Sequence, residues 1–276
     1  MIDCKKIANQ IIRKLKARRK KFLFEPELTI VVCRFSPEIE IFVKNKINLA
    51  KELSINTRIL KLPEKVTSKT LTTKILELNS SSTNGIIVQL PLPKGLDTKP
   101  LQYIAPEKDI DGFSLANQGK LSYGEELLAS PTAKAAVKVL ESIDFNFEGA
   151  NCCVISHSIL IGRPLAQMLL NRNATVSVCH AYTKDLAKYT RKADVVFSAS
   201  GVPSLIKGNM LRKGVVLVDI GTKLVNGKLV GDISEKAQRK ASFFTSVPGG
   251  VGLITVPLIF ENLMNALELQ FGEEYA

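Results

Sequence analysis

The sequence predicts an α/β protein in two halves, the second of them a doubly wound parallel sheet. Three observations predict it. Short apolar runs alternate with helical patterns along most of the chain, which is the rhythm of βαβ units. From Cys152 the stretch "CCVISHSILIGRPLAQML" passes from an apolar run through a polar turn into an amphipathic helix pattern. With 276 residues, 45% of them apolar, the chain can bury two cores more readily than one.

The elements follow in order. The N-terminal stretch "MIDCKKIANQIIRKLKARRKKF" lacks the apolar region of a signal peptide and reads as an amphipathic helix, with Ile7, Ile11, Ile12 and Leu15 on one face. "LTIVVCRF" and "GIIVQLPLP" read as buried strands and "TRILKLP" as a weaker third, with helices over about 37–53 and 67–78. The helical segment "TAKAAVKVLESI" carries the chain into the second half. There "CCVIS", "ATVSVC", "ADVVFSAS" and "GVVLVDIG" read as strands, with helices near 161–171 and 183–191. A last helix, "TVPLIFENLMNALELQ", follows the turn "VPGGVG". No internal repeat or low-complexity tract interrupts the pattern.

Composition narrows the function classes. No run approaches the roughly 18 uncharged apolar residues of a membrane span. Five cysteines, an odd number set mostly in apolar stretches, read as buried reduced thiols of a cytoplasmic protein, and no Cys/His spacing suggests a metal. The net charge of +12 is concentrated in "RKLKARRKK". Such a run reads first as a solvated helix face. Nucleic-acid binding is the rival reading, but tryptophan is absent and basic residues do not interleave with aromatics. A third reading is a field that attracts a polyanionic small molecule.

Four stretches carry possible chemistry. In "EIEIFVKNKINLAKEL", Phe42 and Lys46 lie one helical turn apart, beside the apolar stripe Ile39, Phe42, Val43, Ile47. Taken alone, Lys46 fits a lysine snorkelling at the edge of that stripe better than a semi-buried amine suited to proton transfer. In "IIVQLPLP", Pro91 and Pro93 end the hydrogen-bond ladder, placing Gln89 at the carboxyl edge of its strand, where open α/β sheets bind ligands. In "PEKDIDGF", Asp109 and Asp111 sit in a turn closed by Gly112, as turn chemistry or as a carboxylate for an amino-pyrimidine edge. In "VPGGVG" the glycines let backbone approach a flat ligand, or simply make a flexible turn.

In this order and spacing the stretches "VQLPLP", "KDIDGF", "NATVSVCH", "VDIG" and "PGGVG" resemble the bifunctional methylenetetrahydrofolate dehydrogenase/methenyltetrahydrofolate cyclohydrolase family, over essentially the whole chain. The resemblance implies two α/β domains: a folate-binding catalytic domain over 1–127 with a C-terminal helix, 255–276, returning to it, and a Rossmann-type NAD(P)-binding domain over 128–254. It implies oxidation of 5,10-methylenetetrahydrofolate with NADP, or NAD, then hydrolysis of the methenyl compound to 10-formyltetrahydrofolate, in a cytoplasmic homodimer. The family's catalytic lysine matches Lys46, the glutamine bonded to it Gln89, and the pterin-anchoring aspartate Asp111. Phe42, Lys46, Gln89, Asp111, Pro248, Gly249 and Gly250 are implied to meet the substrate. The cofactor is implied to meet Ser156, His157, Ser158, Gly162, Ala181, Gly201 and Thr222. Asp109 inherits no role and is expected to tolerate asparagine.

Departures from the family pattern fall mostly around the nucleotide. Phe42 replaces a tyrosine, keeping the ring and losing the hydroxyl. Ser130-Pro131-Thr132-Ala133 stands where the family has Pro-Cys-Thr-Pro, and Leu253 and Ile254 where it has proline and methionine. The loop Ser156-His157-Ser158 has serine where the family has glycine, which is expected to strain the turn or push phosphates away by roughly 1–3 kcal/mol. His157 stands for a common arginine and Ala181 for a serine near the adenosine 2′-phosphate. These changes lead us to expect weak NADP binding with poor discrimination against NAD, tightening as pH falls from about 8 to 6 if His157 touches phosphate. Two rivals compete with the enzyme: a catalytically weakened relative that binds folate or nucleotide in a regulatory role, and a basic nucleic-acid-binding protein.

Overall fold

The computed structural model describes residues 1–272, and these divide into two compact units. One comprises Ile11–Pro131 with the chain from Val256 onward; the other comprises Met1–Gln10 with Thr132–Thr255.

The first unit is built on a parallel sheet of β1 (Glu27–Val32), β2 (Asn56–Lys61) and β3 (Gly85–Gln89) in the order β2-β1-β3. Strands β1 and β3 are mostly apolar and buried along nearly their whole length because both faces are covered, whereas β2 lies half-exposed at the edge. Helix α1 (Cys4–Arg19) begins in the other unit and ends here. Ser36 caps α2 (Pro37–Glu52), its hydroxyl accepting from Ile39 N at 3.3 Å, and Pro37 fits the first turn. Thr67 caps α3 (Ser68–Asn79) in the same way. Beyond β3 the chain returns alongside it, where Asp109 bridges to Ile86, and then enters α4 (Leu115–Ser122) and α5 (Pro131–Glu141).

The second unit is a five-stranded parallel sheet of β4 (Asn151–Ile155), β5 (Thr175–Cys179), β6 (Val195–Ser198), β7 (Val215–Asp219) and β10 (Ala241–Phe244), in the order β10-β7-β6-β4-β5. Helices α6 (Gly162–Leu170), α7 (Leu186–Thr190) and α8 (Glu235–Gln238) connect these strands. An antiparallel hairpin, β8 (Thr222–Val225) and β9 (Lys228–Gly231), projects after β7. The chain leaves β4 for β5 on one side and then crosses to β6 on the other, so the strand order reverses at β4. Ligands of doubly wound sheets bind outside the carboxyl ends of the strands at such a point.

The final helix α9 (Val251–Phe271) docks onto the first unit, as the resemblance implied. Asn262 Nδ2 donates to Ile110 O and Ala129 O, both at 2.8 Å, and Gln270 Nε2 to Asn84 O and Glu107 O. With 21 residues α9 is long and apolar enough to cross a membrane, which the run-length reading did not find, but most of its apolar stretch is buried in the fold. All five cysteines are free and buried.

The strands and long helices fall where the sequence places them. Helices α4 and α8, the β8–β9 hairpin and β10 are additions. Helix α7 starts later than expected, because Asp185 at its N-cap takes a left-handed φ of 48°.

Candidate functional site

Lys46 is the first residue whose surroundings overturn the simpler reading. It lies on the buried face of α2 with Ile39, Leu49 and Ala50, only 8% exposed. Its Nζ donates to Gln89 Oε1 at 2.6 Å. Gln89 ends β3 at the carboxyl edge of the sheet, and its Nε2 donates to Leu90 O at 2.7 Å, leaving the carbonyl turned to the lysine. The Leu90–Pro91 peptide is cis. A snorkelling lysine keeps its ammonium in water; this one does not. Burial pushes the Lys46 amine below its ordinary value, while the nearby charge of Asp111 opposes that shift. Phe42, one turn earlier on α2, remains 40% exposed and offers its ring to solvent.

Asp111 is half-buried at its surface, but its carboxyl lies deep enough for burial to dominate its titration. Burial raises that carboxyl from 3.8 to about 6, the positive charge of Lys46 lowers it, and the neighbouring Asp109 raises it. Gly112 holds the turn open with a φ of +74°, and a β-carbon there would sit 2.7 Å from Leu128 O. Asp109 is not the tolerant turn residue expected. Fully buried, it accepts from Phe113 N at 2.9 Å, Ser114 N at 2.6 Å and Asn117 Nδ2 at 3.0 Å, so it organises the start of α4. An asparagine would turn a donor toward those donors, leaving buried groups unpaired.

The candidate cofactor residues all lie in the second unit. Ser156-His157-Ser158 joins β4 to α6, beside the reversal of strand order. The expected strain at Ser156 is absent: it is not among the non-glycine residues with positive φ. Its hydroxyl instead accepts from Ser158 N at 3.3 Å and donates to Ser158 Oγ at 3.2 Å. Ser158 Oγ in turn accepts from Ile161 N at 3.2 Å and Gly162 N at 3.4 Å, bracing the turn into α6. Gly162 allows this close passage, since a β-carbon there would collide with Ser156 O. The His157 ring packs against His180 at a tilt of 58°, centroids 4.9 Å apart, and exposed Ala181 lies two residues beyond the end of β5. Gly201 follows β6 with a φ of +69°, and Thr222 opens β8. In the turn before α9, Pro248 follows a cis peptide, Gly249 takes a φ of +95°, and a β-carbon at Gly250 would collide with Ser246 O. A backbone this free of side chains at the carboxyl ends of β4, β6 and β7 fits a dinucleotide.

A buried acidic pair escaped the sequence reading. Asp219 ends β7 and Asp232 follows β9; they are 2% and 1% exposed. Burial raises the Asp219 carboxyl to about 7, with the backbone amides of Ile233 and Asp232 opposing and the charge of Asp232 adding.

Comparison with known proteins accords with this geometry. Residues 2–111 match the model of the tetrahydrofolate dehydrogenase/cyclohydrolase catalytic domain, and residues 130–271 the model of its NAD(P)-binding domain. The chain is 37% identical over 273 residues to the bifunctional protein FolD of a Nitratiruptor species, covering 96% of this chain and 97% of that one. Among solved structures, it superposes on bifunctional FolD, a methylenetetrahydrofolate dehydrogenase/cyclohydrolase from Campylobacter jejuni, with a TM-score of 0.91 at 36% identity and 98% coverage of both chains. The Trypanosoma brucei methylenetetrahydrofolate dehydrogenase-cyclohydrolase (FolD), solved with NADP cofactor and inhibitor, gives a TM-score of 0.90 at 30% identity, covering 98% of this chain and 97% of that one. With both units matched in sequence and the whole chain matched in fold, this protein belongs to the tetrahydrofolate dehydrogenase/cyclohydrolase family.

Proposed function

We propose that the protein is a bifunctional methylenetetrahydrofolate dehydrogenase and methenyltetrahydrofolate cyclohydrolase that uses NADP, or NAD, in one-carbon metabolism. The observation that carries this reading is the buried hydrogen bond from Lys46 Nζ to Gln89 Oε1, with Asp111 close enough for each charge to shift the other. Burial shifts the Lys46 amine below its ordinary value, so it gives up a proton more readily than a surface lysine, which suits proton transfer and is not required of a structural lysine.

The residues divide the work. Asp111 fixes the pterin through hydrogen bonds to its amino-pyrimidine edge, and Phe42 packs on the folate, an aromatic contact worth about 0.5–1.5 kcal/mol. A bound oxidised nicotinamide would supply the hydride acceptor for the methylene carbon of the folate. Lys46 Nζ, oriented by Gln89, then manages the proton as water adds to the methenyl carbon and the ring opens. Pro248, Gly249 and Gly250 would frame the nicotinamide, and the loops at Ser156–Ser158, Gly201 and Thr222 would hold the rest of the dinucleotide. The enzyme works in the cytoplasm as a homodimer, and the +12 charge serves to attract the anionic tail of folate and the dinucleotide.

Purified protein mixed with methylenetetrahydrofolate and each oxidised dinucleotide tests the reading. Methenyl absorbance should rise and then decay as the hydrolase step follows. No rise with either dinucleotide would favour a weakened, folate-binding relative. The same cuvettes measure cofactor choice, where we expect NADP preferred over NAD by less than about tenfold. His157→Arg should tighten NADP several-fold and leave NAD unchanged, since only NADP carries the extra phosphate for a guanidinium fork. Equal effects on both dinucleotides would place His157 away from that phosphate. Phe42→Tyr adds the hydroxyl that the family usually carries one turn from Lys46. It should raise the methenyl hydrolysis rate several-fold with little change in KM, and an unchanged rate would show that the hydroxyl plays no part here.

A further inference from the structure

We propose that Asp232 is a positioning residue for the dinucleotide, its carboxylate setting the shape of the loop that leaves β6 at residues 198–201. The inference rests on the reading that the second unit binds NADP or NAD. One oxygen of this carboxylate, Oδ2, accepts from Ser198 Oγ at 2.8 Å, Ser200 N at 2.7 Å, Ser200 Oγ at 2.9 Å and Gly201 N at 3.2 Å. The other, Oδ1, is buried without a hydrogen-bond partner. A buried carboxylate kept only for stability gains most by spreading its donors over both oxygens, and leaving one bare is costly. Here every donor converges on the oxygen that faces the β6 loop.

The carboxylate is itself held in place. Asp219 at the end of β7 accepts from Asp232 N through Oδ1 and from Ile233 N through Oδ2, both at 3.0 Å. Each aspartate packs onto a glycine. A β-carbon at Gly221 would collide with Asp232 Oδ2, and one at Gly231 with Asp219 Oδ2. Thr245 Oγ1 accepts from Asp219 N at 2.8 Å, three residues before Pro248. The pair thus ties together the chain leaving β6, the chain leaving β7, the exit of the β8–β9 hairpin and the approach to the Pro248-Gly249-Gly250 turn. Three of these segments carry residues assigned to the nucleotide or nicotinamide. Asp232 is 1% exposed and does not itself reach a ligand; it acts through Ser200 and Gly201.

The test uses the whole enzyme and two variants. Calorimetric titration of the wild type with NADP comes first, and absence of binding there refutes the underlying reading rather than this one. Asp232→Asn puts a neutral amide where two backbone N–H groups and two hydroxyls converge. We expect Kd and KM for NADP to rise tenfold or more, with kcat at saturation within about threefold. Hydrogen exchange at the Ser200 and Gly201 amides should accelerate. Methenyl hydrolysis without nucleotide should stay within about twofold of wild type. Ser200→Ala changes an exposed loop residue and deletes one donor, so it should fold even if Asp232→Asn does not, with NADP binding weakened several-fold. Unchanged NADP affinity in a folded Asp232→Asn, or in Ser200→Ala should the first not fold, overturns the proposal. So does a lower Tm with both activities lost together and no selective change in Kd, which is the mark of a merely structural role.

Discussion

Replacing Lys46 by methionine is expected to abolish hydrolysis of the methenyl compound, by about a hundredfold to ten-thousandfold in kcat, the range of general acid–base catalysis. Methionine keeps the length and apolar stem of lysine, so the face of α2 that buries Ile39, Leu49 and Ala50 loses no volume. Gln89 Oε1 loses the donor now 2.6 Å away, a cost of about 1–3 kcal/mol if nothing replaces it. That cost is offset in part because an amine no longer has to be buried, a burden visible in the lowered titration of Lys46. The fold should therefore survive, and folate KM should stay within about threefold, because Asp111 remains. Dehydrogenation should fall far less than hydrolysis, since positioning is most of what that step asks of the protein. The wild type should also show hydrolysis rising with pH as the Lys46 amine loses its proton, with the rise completed below the ordinary lysine range. Absorbance decay of the methenyl compound, followed across pH with a melting curve as control, checks each part. A folded variant that hydrolyses at the wild-type rate refutes the assignment.

The case of Lys46 also shows where the sequence stops being sufficient. Periodicity puts it beside the apolar stripe of α2, but whether its amine reaches water or a buried acceptor depends on Gln89, 43 residues away in sequence. Local pattern carries no information about that distance; only the motif resemblance did. The inner strands of both sheets were legible because parallel strands buried on both faces are largely apolar runs, whereas β10, at a sheet edge with a partly exposed burial pattern, was not. The β8–β9 hairpin, absent from the expected elements, carries a local signal all the same: Asn226-Gly227, with φ of 49° and 76°, is the dipeptide that tight hairpin turns select. Helix α4 was harder: it has eight residues and is anchored by Asp109, whose burial is a tertiary fact. The strain expected at Ser156 failed for a similar reason. Glycine in such loops admits more than one backbone path, and this loop takes one open to serine, with the hydroxyl bracing it. Asp232 was invisible because its partners lie 34 and 13 residues away, at Ser198 and Asp219.

Asp111→Ala is expected to weaken folate binding by about 1.5–3 kcal/mol, the loss of a charged hydrogen-bond partner, or roughly tenfold to 150-fold in KM. Both activities should fall together, because both use the same bound folate. Loss of only one would refute a shared anchoring role. The titration of the carboxyl supplies a second readout. Burial, partly countered by Lys46 and reinforced by Asp109, places it at about 6 instead of 3.8. Above that value the ionised carboxylate accepts from the amino-pyrimidine edge; below it, a proton occupies an acceptor and faces a donor. Folate KM in the wild type should therefore rise as pH falls from 7 to 5 and should lose that dependence in Asp111→Ala. Stability should move the other way. A carboxyl whose folded-state value exceeds its unfolded one holds its proton more tightly when folded, so ionised Asp111 costs stability above about pH 6. The alanine variant is thus expected to melt at pH 8 no lower than the wild type, apart from the small packing loss. Weakened binding of folate with an undiminished Tm separates an anchor from a structural carboxylate, and a fall in Tm with unchanged folate KM would make Asp111 the latter.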